Sequence, residues 1–244
     1  MAGPAPSFLT AEWRFLAMLN WEMDRALLRP LVPAGTELDE WNGRVYASVV
    51  GFLFRRTRVL GIPALFHGEF EEVNLRFYVR RRTADGFRRG VVFVKELVPR
   101  RLVALIARRA YHEKYVAVPM AHEIALRPDG SPERVAYSWS HAGAAGCIRL
   151  AARPGLRPLA AGSVEEFLAE HYFGYVEQPR GATAEYEVEH PPWKTWAADE
   201  ARLEGGVASL YGAAFASALG GPPDVAFLAE GSEIRVRRGT EIDA

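Results

Sequence analysis

Phe70-Glu71-Glu72-Val73-Asn74-Leu75-Arg76-Phe77-Tyr78-Val79-Arg80-Arg81 alternates in character from residue 72 to residue 79. Successive side chains of an extended chain point to opposite faces. Val73, Leu75, Phe77 and Val79 therefore share one face, and Glu72, Asn74, Arg76 and Tyr78 share the other. Asp85-Gly86 marks a turn, and residues 87–98 form a second extended run, apolar on both faces except at Lys95 and Glu96. The pair reads as a β-hairpin. One of Lys95 and Glu96 must share a face with the polar row. If the sheet curls into a barrel, that row of carboxylate, amide, guanidinium and phenol points either into a cavity or to water.

Working outward, further short strands dominate. Residues 1–7 are rich in Gly, Pro and Ala and read as a frayed end, and residues 8–19 fit helix or strand. Asp24 is placed to cap a short helix that Pro30 and Pro33 stop. Asn42-Gly43 is a turn before a strand over 44–54, in which Gly51 reads as a bulge. Pro99 opens a stretch with Leu102, Leu105, Ile106 and Arg109 at helical spacing over 100–111. Another strand is expected over 115–120, and Pro128-Asp129-Gly130 turns the chain between Ile124 and Tyr137. Ser163 and Glu166 have capping-box spacing, which predicts a helix of two to three turns through Glu170-His171. Residues 186–189 read as strand, 207–219 as an Ala-rich helix and 232–238 as strand. There is no internal repeat and no long linker. A single domain over 1–244 is expected, mainly β with a few helices.

Composition narrows the function classes. The chain has 244 residues, 49% hydrophobic and 25% charged, with a formal net charge of zero. That balance lacks the electrostatic footprint of a nucleic-acid binder. No apolar run approaches the roughly 20 residues that span a bilayer, and the single cysteine excludes an internal disulfide. The sequence predicts a cytoplasmic protein without a membrane segment.

Of 30 basic residues only Lys95, Lys114 and Lys194 are lysines. Arginine stays protonated, whereas a desolvated lysine becomes a neutral nucleophile, so amine chemistry is confined to those positions. Lys95 adjoins the polar row, and Lys114 follows a predicted helix carrying Arg108 and Arg109. Lys194, between Trp193 and Trp196, is better placed to lie over a ring. His67, His112, His122, His141, His171 and His190 show no metal spacing. Nucleotide-loop and nucleophile-elbow motifs are missing, so neither a metal nor a cofactor is expected. Cys147 reads as a small core residue. Arg80, Arg81, Arg82, Arg88 and Arg89 straddle the hairpin tip as a solvated face or an anion or partner contact.

Several segments in order carry a resemblance: residues 13–20 with the elbow through Pro33, residues 72–79, residues 91–99, Tyr111-His112-Glu113-Lys114-Tyr115 through Met120, Glu166-Phe167-Leu168 with Tyr172, and His190-Pro191-Pro192-Trp193. Together they resemble the DUF2071 or YqjF-like family, across nearly the whole chain. That family resembles acetoacetate decarboxylase, which implies a curled antiparallel barrel around a small-molecule cavity. The decarboxylase forms a Schiff base on a lysine that neighbours a second lysine. By chain order Lys114 is the residue closest to that position, and Glu69, Glu71 or Glu72 are nearest to its carboxylate segment. Tyr115 follows Lys114 here, so the lysine pair is missing.

Three functions follow as expectations. The first is a barrel that binds a small, anionic organic molecule through Glu72, Asn74, Arg76 and Tyr78. The second is Schiff-base catalysis on a β-keto acid with Lys114 or Lys95 as nucleophile. The third is a protein-interaction module using the arginine-rich hairpin. The oligomeric state is not legible in the sequence.

Overall fold

The computed structural model describes residues 7–63, 68–99 and 114–242. The helix expected over 100–111 lies outside them, as do His67 and His112. Strands β1 (Ser7–Glu22), β2 (Glu37–Leu38), β3 (Tyr46–Val59), β4 (Ile62–Pro63), β5 (Phe70–Thr83) and β6 (Gly86–Val98) come first. They are followed by β7 (Tyr115–Ala117), β8 (Met120–Leu126), β9 (Pro132–His141), β10 (Ala144–Ala152) and β11 (Arg157–Pro158). The rest are β12 (Phe173–Glu177), β13 (Thr183–Glu189), β14 (Lys194–Gly205), β15 (Val225–Arg237) and β16 (Thr240–Ile242). Among the described residues, four short α-helices interrupt them: α1 (Arg25–Leu28), α2 (Val164–Ala169), α3 (Val207–Tyr211) and α4 (Ala213–Ala218).

The central strands run β12-β6-β5-β3-β1-β15, and the sheet curls until β13, paired with β12, also meets β15 at Val188↔Val236 and Glu189↔Arg235. β14 pairs with β15 through Thr195–Ala197 and then with β10 through Ala198–Gly205, carrying β10, β9 and β8 into a flanking antiparallel layer. The long strands are therefore buried on both faces. Met18, Val50, Phe52 and Tyr78 pack on the concave side, and Leu19, Val49, Leu53, Leu75 and Phe77 pack under the outer layer. Such burial accounts for apolar runs in β3 and β6 that do not alternate.

The 70–98 hairpin forms as its pattern predicts, with Thr83↔Gly86 closing the turn. Residues 8–19 resolve to strand. Asp24 caps α1 by accepting the Ala26 amide at 2.8 Å. Gly51 is not itself a bulge: the irregularity lies opposite it in β1, where Arg14↔Leu53 is followed by Ala17↔Gly51 and Phe15 has φ 55. Gly51 instead permits a close approach, since a Cβ there would lie 2.4 Å from Ile148 Cδ1 and 2.6 Å from Tyr137 Cδ2.

Other elements are shorter than their patterns. The 115–120 strand breaks at Val118-Pro119 into β7 and β8. The 207–219 helix divides at Gly212, whose φ of 85 ends α3. α2 stops after six residues. Its Ser163 Oγ accepts the Glu166 amide at 3.1 Å, but Glu166 Oε2 reaches back to the Gly162 amide at 2.6 Å, one position earlier than a capping box requires.

Candidate functional site

The concave side of the sheet encloses a mostly apolar cavity of about 530 Å3, and Glu72, Asn74 and Arg76 of β5 line it. The row points inward because Val73, Leu75 and Phe77 are buried on the other side, under the outer layer. Glu96 shares the cavity face: it lies opposite Asn74, and Lys95 lies opposite Leu75. A register shift then pairs Arg76 with Phe93 rather than Val94, which keeps Phe93 and Val91 in the cavity wall.

The polar row is internally bonded. Asn74 Nδ2 donates to Glu72 Oε1 at 2.9 Å, and the Tyr115 hydroxyl donates to Glu72 Oε2 at 3.1 Å. Burial pushes the Glu72 carboxyl up to about 7, against those two hydrogen bonds and the nearby Arg76 charge, all of which favour the ionised form. Glu72 can therefore hold or release a proton near neutrality.

Arg76 is 8% exposed. Its guanidinium lies 5.7 Å from the Tyr78 ring centroid, and no carboxylate among the described residues reaches it within salt-bridge distance. Among the described residues its Nε is a buried donor without an acceptor, and Asn74 Oδ1 is a buried acceptor without a donor. A buried charge is costly unless it is paired, and no ion pair among the described residues offsets that cost for Arg76.

Tyr78 is fully buried behind the row and is not in the cavity wall. Its hydroxyl lies 2.6 Å from Ser48 Oγ, which donates to Asn20 Oδ1 at 2.6 Å. Asn20 Nδ2 in turn donates to the Met18 and Val225 carbonyls, at 3.2 and 2.9 Å. The Tyr78 ring is thereby fixed beneath Arg76.

Two histidines complete the polar end. His171, just beyond α2, lies in the wall with Nε2 3.1 Å from Asp39 Oδ2, and Asp39 also accepts Arg89 Nε at 2.6 Å. Burial, aided by the Arg89 and Arg76 charges, lowers His171 to about 4 despite Asp39. It is neutral at physiological pH, with Nε2 as the donor. Asp39 is held below the usual carboxylate range: burial opposes ionisation, and the hydrogen bonds from His171 and Arg89 outweigh it. His190 stacks on Trp193 at 4.2 Å, and burial lowers it to about 4.

The lysines lie elsewhere. The described cavity wall contains none. Lys95 donates Nζ to the Leu210 carbonyl of α3, on the opposite side of the sheet. Lys114 is exposed, and only its carbonyl approaches the site, accepting the Glu96 amide at 3.2 Å. Lys194 is exposed while Trp193 and Trp196 are buried. At the hairpin tip, Arg81 and Arg88 both bind Glu185, at 3.1 and 2.5 Å, so these two arginines are already paired. No group of three or more potential metal ligands occurs among the described residues.

Sequence reasoning singled out neither Tyr115, His171 nor Asp39 as site residues. Asp39 and His171 are 132 positions apart, and no local pattern joins them.

A curled, mainly antiparallel sheet around a cavity of this kind is the acetoacetate decarboxylase-like fold. The chain is similar to acetoacetate decarboxylase from Legionella pneumophila subsp. pneumophila str. Philadelphia 1 (12% identity, 98% of this chain and 88% of that one, TM-score 0.65). It is also similar to an acetoacetate decarboxylase-like enzyme from Sphingomonas wittichii RW1 (15% identity, 98% and 94%, TM-score 0.66). A third similar structure is the enduracididine biosynthesis enzyme MppR complexed with pyruvate (12% identity, 98% and 91%, TM-score 0.64). At these identities the likeness is one of fold. Residues 10–233 match DUF2071, described as an uncharacterized conserved protein, and the chain belongs to that family. A relative, the uncharacterized protein YqjF of Bacillus subtilis (strain 168), is 29% identical over 184 residues, covering 74% of this chain and 72% of that protein.

Proposed function

We propose that this protein binds a small organic anion in its cavity, with the acid group held by Arg76. The observation that carries this reading is the buried Arg76 guanidinium, which lines an apolar cavity and has no carboxylate within salt-bridge distance among the described residues. Glu72 and Asn74 supply a hydrogen-bonding pair beside the anion, and the Tyr78 ring supports Arg76 from below. Cavities of about 300–1,000 Å3 with a few convergent polar groups are the usual form of small-molecule sites. Two of the similar solved structures are of MppR with pyruvate or with a pyruvate condensation product, which agrees with an acid ligand on this fold.

The test is calorimetry with matched pairs, a carboxylate against its primary amide, on the wild type and Arg76→Met. The acid should bind the wild type at least tenfold more tightly than the amide, and Arg76→Met should remove that preference. Equal affinity of acid and amide for the wild type would refute the site.

Imine catalysis by Lys95 or Lys114 is the weaker reading, because neither amine lines the described cavity wall. Borohydride trapping with pooled keto acids should leave the intact mass unchanged. An adduct mapped to either lysine would reverse the order of the two readings.

A further inference from the structure

The cavity is far larger than its charged end requires. A void of about 150 Å3 accommodates one benzene molecule, so 530 Å3 has room for roughly three such volumes. Acetoacetate, at about 1.5 Å per bond, has a contour length of only about 6 Å. The lining face of β5 runs from Phe70 through Glu72 and Asn74 to Arg76, about 20 Å of strand at roughly 3.3 Å per residue.

Polarity is distributed unevenly along that length. Arg76 and Asn74 lie opposite Ser48 and Val50 of β3, whereas Phe70 lies opposite Phe54, with the two rings stacked at 4.7 Å. Trp13 meets Phe52 and Phe54 edge-on at 5.2 and 5.9 Å and thus extends the aromatic wall. Beyond these rings the described lining continues to Leu60 and Ile62, which are 65% and 69% exposed. Large aliphatic side chains left in water at the end of an apolar channel are what an apolar ligand would meet on entry. A second charge in the middle of the ligand would be desolvated there without a partner.

Resting on the anion-site reading, we propose that the ligand is a monocarboxylic acid with an extended apolar body, alkyl or aryl-alkyl. Its carboxylate lies at Arg76, and its body runs past Phe52, Phe54, Phe70 and Trp13 towards Leu60 and Ile62. Short keto acids leave most of the channel without apolar contact and are poor ligands.

The experiment is calorimetry on the wild type with butanoate, hexanoate, octanoate and decanoate, each below its micelle concentration, with acetoacetate and pyruvate as short acids and decan-1-ol as the neutral control. Affinity should rise roughly fourfold per methylene, at a stoichiometry of one. Decanoate should bind at least tenfold more tightly than decan-1-ol, and Arg76→Met should lose that margin while keeping the chain-length slope. Equal affinity for butanoate and decanoate would overturn the extended body and leave the anion site standing. A slope in which decan-1-ol matches decanoate would overturn the anion site, and the monocarboxylate with it. No binding by any acid, short or long, would overturn both.

Discussion

Tyr115, the first residue of β7, donates its hydroxyl to Glu72 Oε2 at 3.1 Å across the wall of the cavity. The bond stabilises the ionised carboxylate, yet burial wins and the group titrates near 7. A carboxyl raised in the folded state binds a proton that the unfolded chain releases near 4.5, so its contribution to stability is lost as pH rises from 4.5 through about 7. Over that window the loss is on the order of 3 kcal/mol, at 1.36 kcal/mol per pH unit. Glu72→Gln should remove this loss and be more stable than the wild type above neutrality, as measured by denaturant unfolding across pH. Parallel pH profiles for the two proteins would contradict the assignment.

The same titration should govern ligand affinity. Arg76, Glu96, Tyr115, His171 and His190 face Glu72 or the cavity from the surrounding elements, and both histidines remain neutral well below pH 6. Ionising Glu72 therefore adds a negative charge beside a bound carboxylate. At about 10 Å and an effective dielectric of about 20 this costs on the order of tenfold in affinity. Carboxylate binding should weaken as pH rises through 7, and Glu72→Gln should flatten the dependence.

His171 runs in the opposite direction. Its folded-state value near 4 lies below 6.5, so the unfolded chain takes up a proton first, and stability falls as pH drops from 6.5 towards 4. Nuclear magnetic resonance should show the His171 ring neutral at pH 6. A ring midpoint near 6.5 would contradict its burial beside Arg89 and Asp39.

Tyr78→Phe removes a hydroxyl that contacts Ser48, while Ser48 keeps its bond to Asn20. The expected loss in unfolding free energy is about 1 kcal/mol. Carboxylate binding should persist, because the ring under Arg76 is retained.

Gly51→Ala would drive a Cβ to 2.4 Å from Ile148 Cδ1 and 2.6 Å from Tyr137 Cδ2. Overpacking of this kind costs about 1–3 kcal/mol. Thermal unfolding should register the loss, and Ile148→Val in the same chain should recover part of it.

The hairpin was legible because Val73, Leu75, Phe77 and Val79 alternate with a polar row, a pattern only an extended chain produces. Which way the row points was not legible, since β6 is apolar on both faces. That choice depends on the outer layer of β8, β9, β10 and β14, which buries Leu75 and turns Asn74 inward. Pairing resolves Lys95 from Glu96: Glu96 lies opposite Asn74, and Lys95, opposite Leu75, is directed to the Leu210 carbonyl of α3. The Asp39–His171 pair joins residues brought together only by the curl of the sheet, so no spacing rule could have found it. The 207–219 run is Ala-rich and favourable to helix, and only the backbone conformation of Gly212 divides it into α3 and α4.

The most direct measurement of the central claim is a crystal structure of the wild type with bound decanoate. The account predicts carboxylate oxygens within about 3.2 Å of the Arg76 guanidinium, and the alkyl chain against Phe52, Phe54 and Phe70. Decanoate bound with its carboxylate at the outer groove of Arg56, Arg58 and Arg235, and nothing beside Arg76, would contradict it.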